Sequence, residues 1–195
     1  MGRSDVELAE AVAGGDRGAA EELAGRLLER VRCACRYMAG AHSDWEDMVQ
    51  IVMIEILRSA GTFVGESTLE SWAGTITMRT LWRRIRSRER YREVIRLFRE
   101  SRIEPPPARG GTAEEQVDIR VIRSRIAHCL DRINANQRVC LVMKFVFDHS
   151  VKEIAQVTGA PENTVKDRLK NGKEKLRRFM MGDELLKEYV GSLKP

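Results

Sequence analysis

The sequence predicts an all-α protein built from two small helical domains joined by a flexible linker, the second domain containing a helix-turn-helix. Three observations carry that prediction. Apolar residues recur at three- and four-residue spacing along most of the chain, and nowhere is there a sustained alternation of period two. The pattern is broken once, by Glu104-Pro105-Pro106-Pro107-Ala108-Arg109-Gly110-Gly111-Thr112. Consecutive prolines remove backbone donors and the glycines remove stiffness, so this run reads as an exposed linker. The expected organisation is a first domain over 1–102, a linker over 103–118, a second domain over 119–182 and a tail over 183–195.

Before the linker the spacing predicts helices over Asp5–Gly14, Gly18–Met38, Asp44–Ser59 and Glu70–Arg90, with a further one over Tyr91–Arg102. Ser43 or Asp44 suits the cap of the third, and Glu46 and Asp47 fall in its first turn, where the helix dipole favours negative charge. After the linker, helices are expected over Glu114–Ile133, Asn136–Val146, Val151–Thr158 and Pro161–Met181, and the tail has room for another amphipathic turn or two.

The chain has 195 residues, 43% of them hydrophobic, enough to bury real cores. No apolar run approaches the roughly 20 residues needed to cross a bilayer, and the start Met-Gly-Arg-Ser-Asp-Val-Glu resembles neither a signal nor a transit peptide, so a cytoplasmic location is expected. Cys33, Cys35, Cys129 and Cys140 lack the number and spacing of a disulfide framework or a CxxC-type zinc site, and read as reduced thiols. Charge is distributed in blocks: −6 over 1–78, +7 over 79–102, −3 over 103–118, +8 over 119–182 and −1 over 183–195. Two basic blocks between acidic ones suggest two separate contacts with a polyanion. There is no GxxxxGK loop, no HExxH and no nucleophile elbow, and His42, His128 and His149 are the only histidines, so nothing points to an enzyme. His149, just before Ser150, reads as a loop residue.

The most specific local signal is Ser150-Val151-Lys152-Glu153-Ile154-Ala155-Gln156-Val157-Thr158-Gly159-Ala160-Pro161-Glu162-Asn163-Thr164-Val165-Lys166. Ser150 with Glu153 forms a capping box, Ala155 is small where two helices must approach, Gly159 can adopt the left-handed conformation that ends a helix, and Pro161 suits the first turn of the next. In the second helix Val165, Leu169, Gly172 and Leu176 share one stripe that faces the core. Asn163, Lys166, Asp167 and Lys170 then project outward, chemically suited to base edges in a major groove, while Arg168, Lys173, Lys175, Arg177 and Arg178 suit phosphates.

With these residues in place the chain resembles the extracytoplasmic-function group of the sigma-70 family of RNA polymerase sigma factors, in order and over nearly its whole length. Asp44-Trp45-Glu46-Asp47-Met48-Val49-Gln50-Ile51-Val52-Met53 is similar to the family's Asp-x-Glu-Asp-Leu-Val-Gln-Glu-Val-Phe, on the helix that grips the clamp of core polymerase. The resemblance implies polymerase contacts at Asp44, Asp47, Gln50 and Met53. Thr62-Phe63-Val64-Gly65-Glu66-Ser67-Thr68-Leu69-Glu70-Ser71-Trp72 is similar to the segment that opens the helix contacting the melted −10 element. That implies −10 contacts at Phe63, Ser67, Trp72, Arg79, Trp82, Arg83 and Arg86, although Trp72 by itself reads better as a core anchor. Arginines with interleaved tryptophan also suit single-stranded nucleic acid on their own chemistry. Leu130-Asp131-Arg132-Ile133-Asn134-Ala135-Asn136-Gln137-Arg138-Val139 opens the second domain, which in the family reads the −35 element, here through Asn163, Thr164, Lys166, Asp167, Arg168, Lys170 and Lys173.

The sequence departs from the family in places. Arg79 and Arg83 stand where asparagine and aspartate are usual, Ile133-Asn134 replaces a leucine-proline turn, and Asp167 and Gly172 replace serine and alanine. The resemblance implies an alternative sigma factor that needs no cofactor, binds core RNA polymerase, duplex promoter DNA and the melted −10 strand, and answers to an anti-sigma factor. Two other readings fit part of the chain: a stand-alone helix-turn-helix regulator, which leaves the Asp44–Met53 similarity unexplained, and a sigma mimic that occupies an anti-sigma factor, for which the basic face of 161–178 has no use.

Overall fold

The computed structural model describes residues 3–39, 45–98 and 119–192, with residues 88–98 and 192 as backbone alone. The expected linker, Asp44 and the caps at Ser43 or Asp44 lie outside the described residues, as do the side chains of Arg88 and Arg90. Among the described residues the secondary structure is entirely helical.

In the first half α1 (Asp5–Ala13), α2 (Arg17–Ala39), α3 (Trp45–Arg58) and α4 (Leu69–Phe98) follow in turn, with a single 3-10 turn at Ala60–Thr62 between the last two. Ser4 and Glu7 form a reciprocal capping box on α1, which satisfies two otherwise orphan amides. Leu23, Leu27 and Val31 line one stripe of α2 and bury it against Met48, Val52 and Ile56 of α3 and Leu69, Ala73 and Leu81 of α4. The separate helix expected over Tyr91–Arg102 is instead a continuation of α4, which runs unbroken to Phe98. No proline or glycine stands in that stretch to stop it.

The second half contains α5 (Ile119–Asp131), α6 (Ala135–Val146), α7 (Val151–Thr158), α8 (Glu162–Met181) and α9 (Glu184–Ser192). Asn134 caps α6, its side chain accepting from the Asn136 amide at 2.9 Å. A helix start is thus made without the proline turn usual in the family. Arg138 is buried and donates to Asp131 at 2.8 Å, tying α6 back to the end of α5. The tail forms a full helix: Asp183 accepts from the Leu186 amide and pairs with Arg125 at 2.9 Å. Leu186 is fully buried with Ile122 and Cys129, a burial that contributes about 1.5–3 kcal/mol.

The two halves pack on one another. One buried cluster runs from Leu8 in α1 through α2, α3 and α4 to Val139, Met143, Phe147, Ile154 and Val165. Across the boundary Arg30 donates to the Val146 carbonyl at 3.2 Å, and Arg123 pairs with Glu29 at 3.0 Å. No helix of the described residues is long and apolar enough to cross a membrane.

Candidate nucleic-acid interface

On α3 the alternation of buried and exposed positions sorts the expected polymerase contacts. Met48, Val49, Val52 and Ile56 are buried, and Glu46, Asp47 and Gln50 are exposed. Met53 is half-buried and packs on the core, so its side chain is not part of the free face. Ile54 is, at 47% exposed, and it continues the Asp47–Gln50 stripe one turn on. Sequence reasoning passed over it because an isoleucine in so apolar a helix is indistinguishable from core until the packing is known.

The segment leading into α4 is anchored rather than open. Phe63 is buried, its ring 5.5 Å from that of Trp72 at 57°. Trp72 donates its indole N–H to Thr62 at 3.3 Å. The pair anchors one end of the loop through Gly65 and Ser67, and Ser67 is exposed. Trp82, expected among the arginines as a stacking platform, is 6% exposed and belongs to the core. Among the described residues its indole N–H finds no acceptor, and Arg86 lies over its ring at 5.7 Å. The correction has a simple cause: at 100° per residue Trp82 is turned 60° from Arg79 toward the buried Met78 and Ile85. Arg79, Arg83 and Arg86 are exposed at successive turns of one face, a basic stripe joined to the core through Arg86 on the Trp82 ring.

The helix-turn-helix has the geometry its sequence predicts. Ser150 and Glu153 make both halves of a capping box; burial pushes the Glu153 carboxyl up, but the Ser150 amide and hydroxyl, both donating to it, hold it below its ordinary value. Gly159 ends α7 at φ +67° and donates to the Ala155 carbonyl at 2.9 Å. Pro161 occupies the cap position of α8 rather than its first turn, and no side chain caps that end. The first amides of α8 therefore remain open to an anion.

On α8 Val165 and Gly172 are buried and Leu169 and Leu176 half-buried, while Asn163, Lys166, Asp167, Lys170 and Lys173 are exposed and Thr164 half-exposed. Gly172 admits α6: a Cβ there would lie 3.2 Å from Leu141 Cδ1 and 3.3 Å from Gln137 Cβ. Among the described residues no ion pair joins Asp167 to Lys166 or Lys170, so its carboxylate is presented rather than spent on the helix surface. Arg168, expected at a phosphate, is half-buried; burial pushes the Cys140 thiol up and the Arg168 guanidinium opposes that rise. Phe145, 62% exposed at the end of α6, carries the Lys173 ammonium 5.9 Å from its ring centre and extends the face sideways.

His149, expected as a plain loop residue, is fully buried between the halves. Its Nε2 lies 3.0 Å from Thr75 Oγ1 and its Nδ1 3.3 Å from the Met143 carbonyl. Burial holds its pKa below the ordinary imidazole value, overcoming the Met143 carbonyl and the Glu153 carboxylate, which both favour the charged ring. No local signal could have found it, since its partner stands 74 residues away.

Two family models match the chain, Sigma-70 region 2 over residues 23–91 and Sigma-70, region 4 over residues 123–176. The chain is similar to the ECF RNA polymerase sigma factor SigM of Mycobacterium tuberculosis (strain ATCC 25618 / H37Rv), 28% identical over 178 residues that span 91% of this chain and 85% of the relative. It is also similar to the ECF RNA polymerase sigma factor SigX of Bacillus subtilis (strain 168), 26% identical over 162 residues, 79% of this chain and 78% of the relative. Among solved structures, CnrH in complex with the cytosolic domain of CnrY superposes with a TM-score of 0.59 at 19% identity, covering 92% of this chain and 99% of that one. The sigma factor RpoE in complex with the anti-sigma factor NepR from Bartonella quintana gives a TM-score of 0.60 at 20% identity, covering 84% and 98%.

Proposed function

The chain belongs to the sigma-70 family, in its extracytoplasmic-function group, and from that premise we propose how its own residues divide the work of an alternative sigma factor. Residues 1–102 act as the domain that binds core polymerase and the melted −10 strand, residues 119–182 as the domain that reads the −35 element. The exposed stripe Asp47, Gln50 and Ile54 on α3 meets core polymerase, together with Asp44, three residues before it in the sequence. Arg79, Arg83 and Arg86 on α4 carry the melted strand by phosphate pairing, a contact that arginine makes in bidentate fashion. Phe63 and Trp72 hold the Ser67 loop in shape, and Ser67 is the residue placed to touch a flipped base.

The observation that carries the reading is the outward face of α8. Asn163, Lys166, Asp167 and Lys170 are exposed at the N-terminal half of a helix whose opposite stripe packs on the core. That is the arrangement a recognition helix needs in a major groove. Basic residues supply affinity and the carboxylate supplies selectivity, because a carboxylate near phosphates is repelled unless it accepts from a cytosine amino group. The protein is read as working in the cytoplasm, without a reaction of its own and without a cofactor. An anti-sigma factor is proposed as its gatekeeper, an idea motivated by the complexes in which the structural neighbours were solved.

The test is transcription in vitro by core polymerase with and without the protein, followed by mapping of transcript starts. Starts at a fixed set of promoters that appear only with the protein are expected. Binding to DNA without core polymerase, with no protein-dependent transcript, would favour the stand-alone regulator.

A further inference from the structure

Arginines gather in one place where no promoter contact needs them. On α2 Glu29, Arg32, Cys33, Arg36 and Tyr37 recur at three- and four-residue spacing and so share one side of the helix. Arg120 and Arg123 of α5 stand opposite, and Trp45 adds a wall from the start of α3. Together they line a cavity of about 480 Å³. None of these residues belongs to α4 or α8, the helices whose outward faces suit nucleic acid.

The charge of this cavity is lopsided. Among the described residues Glu29 is its one carboxylate, and Arg123 already engages it at 3.0 Å. Arg32 and Arg36 lie over the Trp45 ring at 5.6 and 5.7 Å, and among the described residues no carboxylate pairs with either. An aromatic face attracts a guanidinium without neutralising it. The ring therefore gathers two planar forks beside one cavity, a pairing that phosphate oxygens match in bidentate fashion. Cys33 and Tyr37 are half-buried in the same wall. Burial pushes both above their ordinary pKa, against the pull of Arg123 and Arg36, so both stay protonated and the Tyr37 hydroxyl remains a donor.

Volume narrows the choice of anion. Inorganic phosphate would leave most of the space empty, whereas 480 Å³ falls among organic-ligand sites of about 300–1,000 Å³. Guanidinium forks beside Trp45 and Tyr37 suit a molecule that carries several phosphates and a flat ring. We infer that the cavity between α2 and α5 binds a nucleoside polyphosphate, its phosphates on the arginines and its base against the aromatic walls. The ligand adds a second bridge between α2 and α5 beside the Glu29–Arg123 pair, and it stabilises the folded chain in step with its occupancy. The site stands apart from promoter reading and holds whether or not that reading does.

The test titrates the full chain with ATP, GTP and inorganic triphosphate by calorimetry, then measures alkylation by iodoacetamide. Cys33 is the one thiol of the four that is not buried, so its alkylation rate reports on the cavity itself. A nucleotide is expected to bind saturably and to raise the thermal midpoint. At ten times its Kd it leaves about a tenth of the cavities empty, and alkylation of Cys33 should slow about tenfold. Arg32→Gln with Arg36→Gln should weaken binding about a hundredfold, because each lost charge-assisted hydrogen bond is worth about tenfold or more. Arg17→Gln with Arg58→Gln removes the same charge from exposed positions and should change nothing. If the first pair loses helix content, Arg120→Gln probes the opposite wall and is expected to weaken binding likewise. Absence of saturable binding, or an equal loss in both pairs of variants, overturns the site. Inorganic triphosphate binding as tightly as the nucleotides, or protection of Cys33 by a single-stranded oligonucleotide alone, overturns the nucleoside assignment.

Discussion

Gly159 offers the cleanest quantitative test of the helix-turn-helix. It ends α7 at φ +67°, and a Cβ at that position would meet nothing within 4 Å. The whole cost of Gly159→Ala is therefore torsional. An L-residue held in the left-handed region costs roughly 1–2 kcal/mol, and alanine returns about 0.4–1 kcal/mol by restricting the unfolded chain. A net loss near about 1 kcal/mol should move the urea midpoint down by about 0.5 M at a slope of about 2 kcal/mol/M. Asparagine visits the left-handed region more readily, so Gly159→Asn should cost about half as much. The assay is urea unfolding followed by far-ultraviolet circular dichroism, with binding to an upstream-element duplex measured on the same samples. Duplex affinity should fall with the alanine variant, because α8 takes its direction from this turn. If alanine and asparagine cost the same, or neither costs anything, the backbone angle at Gly159 is not what sets the turn.

Four further outcomes are expected. Asp47→Lys with Gln50→Ala and Ile54→Ser should weaken capture of core polymerase several-fold with helix content unchanged, since all three are exposed or polar and contribute little to folding; unchanged capture would mean the stripe is only solvated. Lys166→Ala or Lys170→Ala should weaken binding to all upstream-element sequences and reduce the salt dependence by about one counterion. Asp167→Ala should relax preference at one base pair by roughly 1–3 kcal/mol, and uniform tightening over a set of single-base variants would show that the carboxylate reads nothing. His149 should make stability depend on pH. Its folded pKa lies below the ordinary 6.5, so the unfolded chain binds the proton first, and stability present above 6.5 is lost as pH falls below it. Glu153, whose carboxylate favours the charged ring, is held below 4.5 and contributes only in a lower window, while Lys144 opposes the charged ring throughout. Thermal unfolding between pH 8 and 5.5 should show this loss in wild type and a smaller one in His149→Gln; equal slopes would place the effect elsewhere.

What the sequence determined by itself is what neighbouring residues decide. Ser150 and Glu153 meet within one turn, Gly159 ends a helix by its own torsion, and Val165 with Gly172 marks the inner stripe of α8, so the helix-turn-helix and its outward face were legible before any packing was known. The basic stripe Arg79, Arg83 and Arg86 was legible for the same reason, and the order of the two family segments needed no coordinates. Tertiary structure alone decided which of several apolar or aromatic residues would be covered. Phe63 and Trp82 went into the core, and Ile54 and Phe145 stayed out. It alone sealed the tail helix with Leu186, and it alone brought Gly74 to Phe147 and His149. Helical period and capping are properties of three to four consecutive residues. Burial is a property of pairs that the chain joins only through long loops, and for Thr75 and His149 the separation is 74 residues, a distance over which no periodicity carries information.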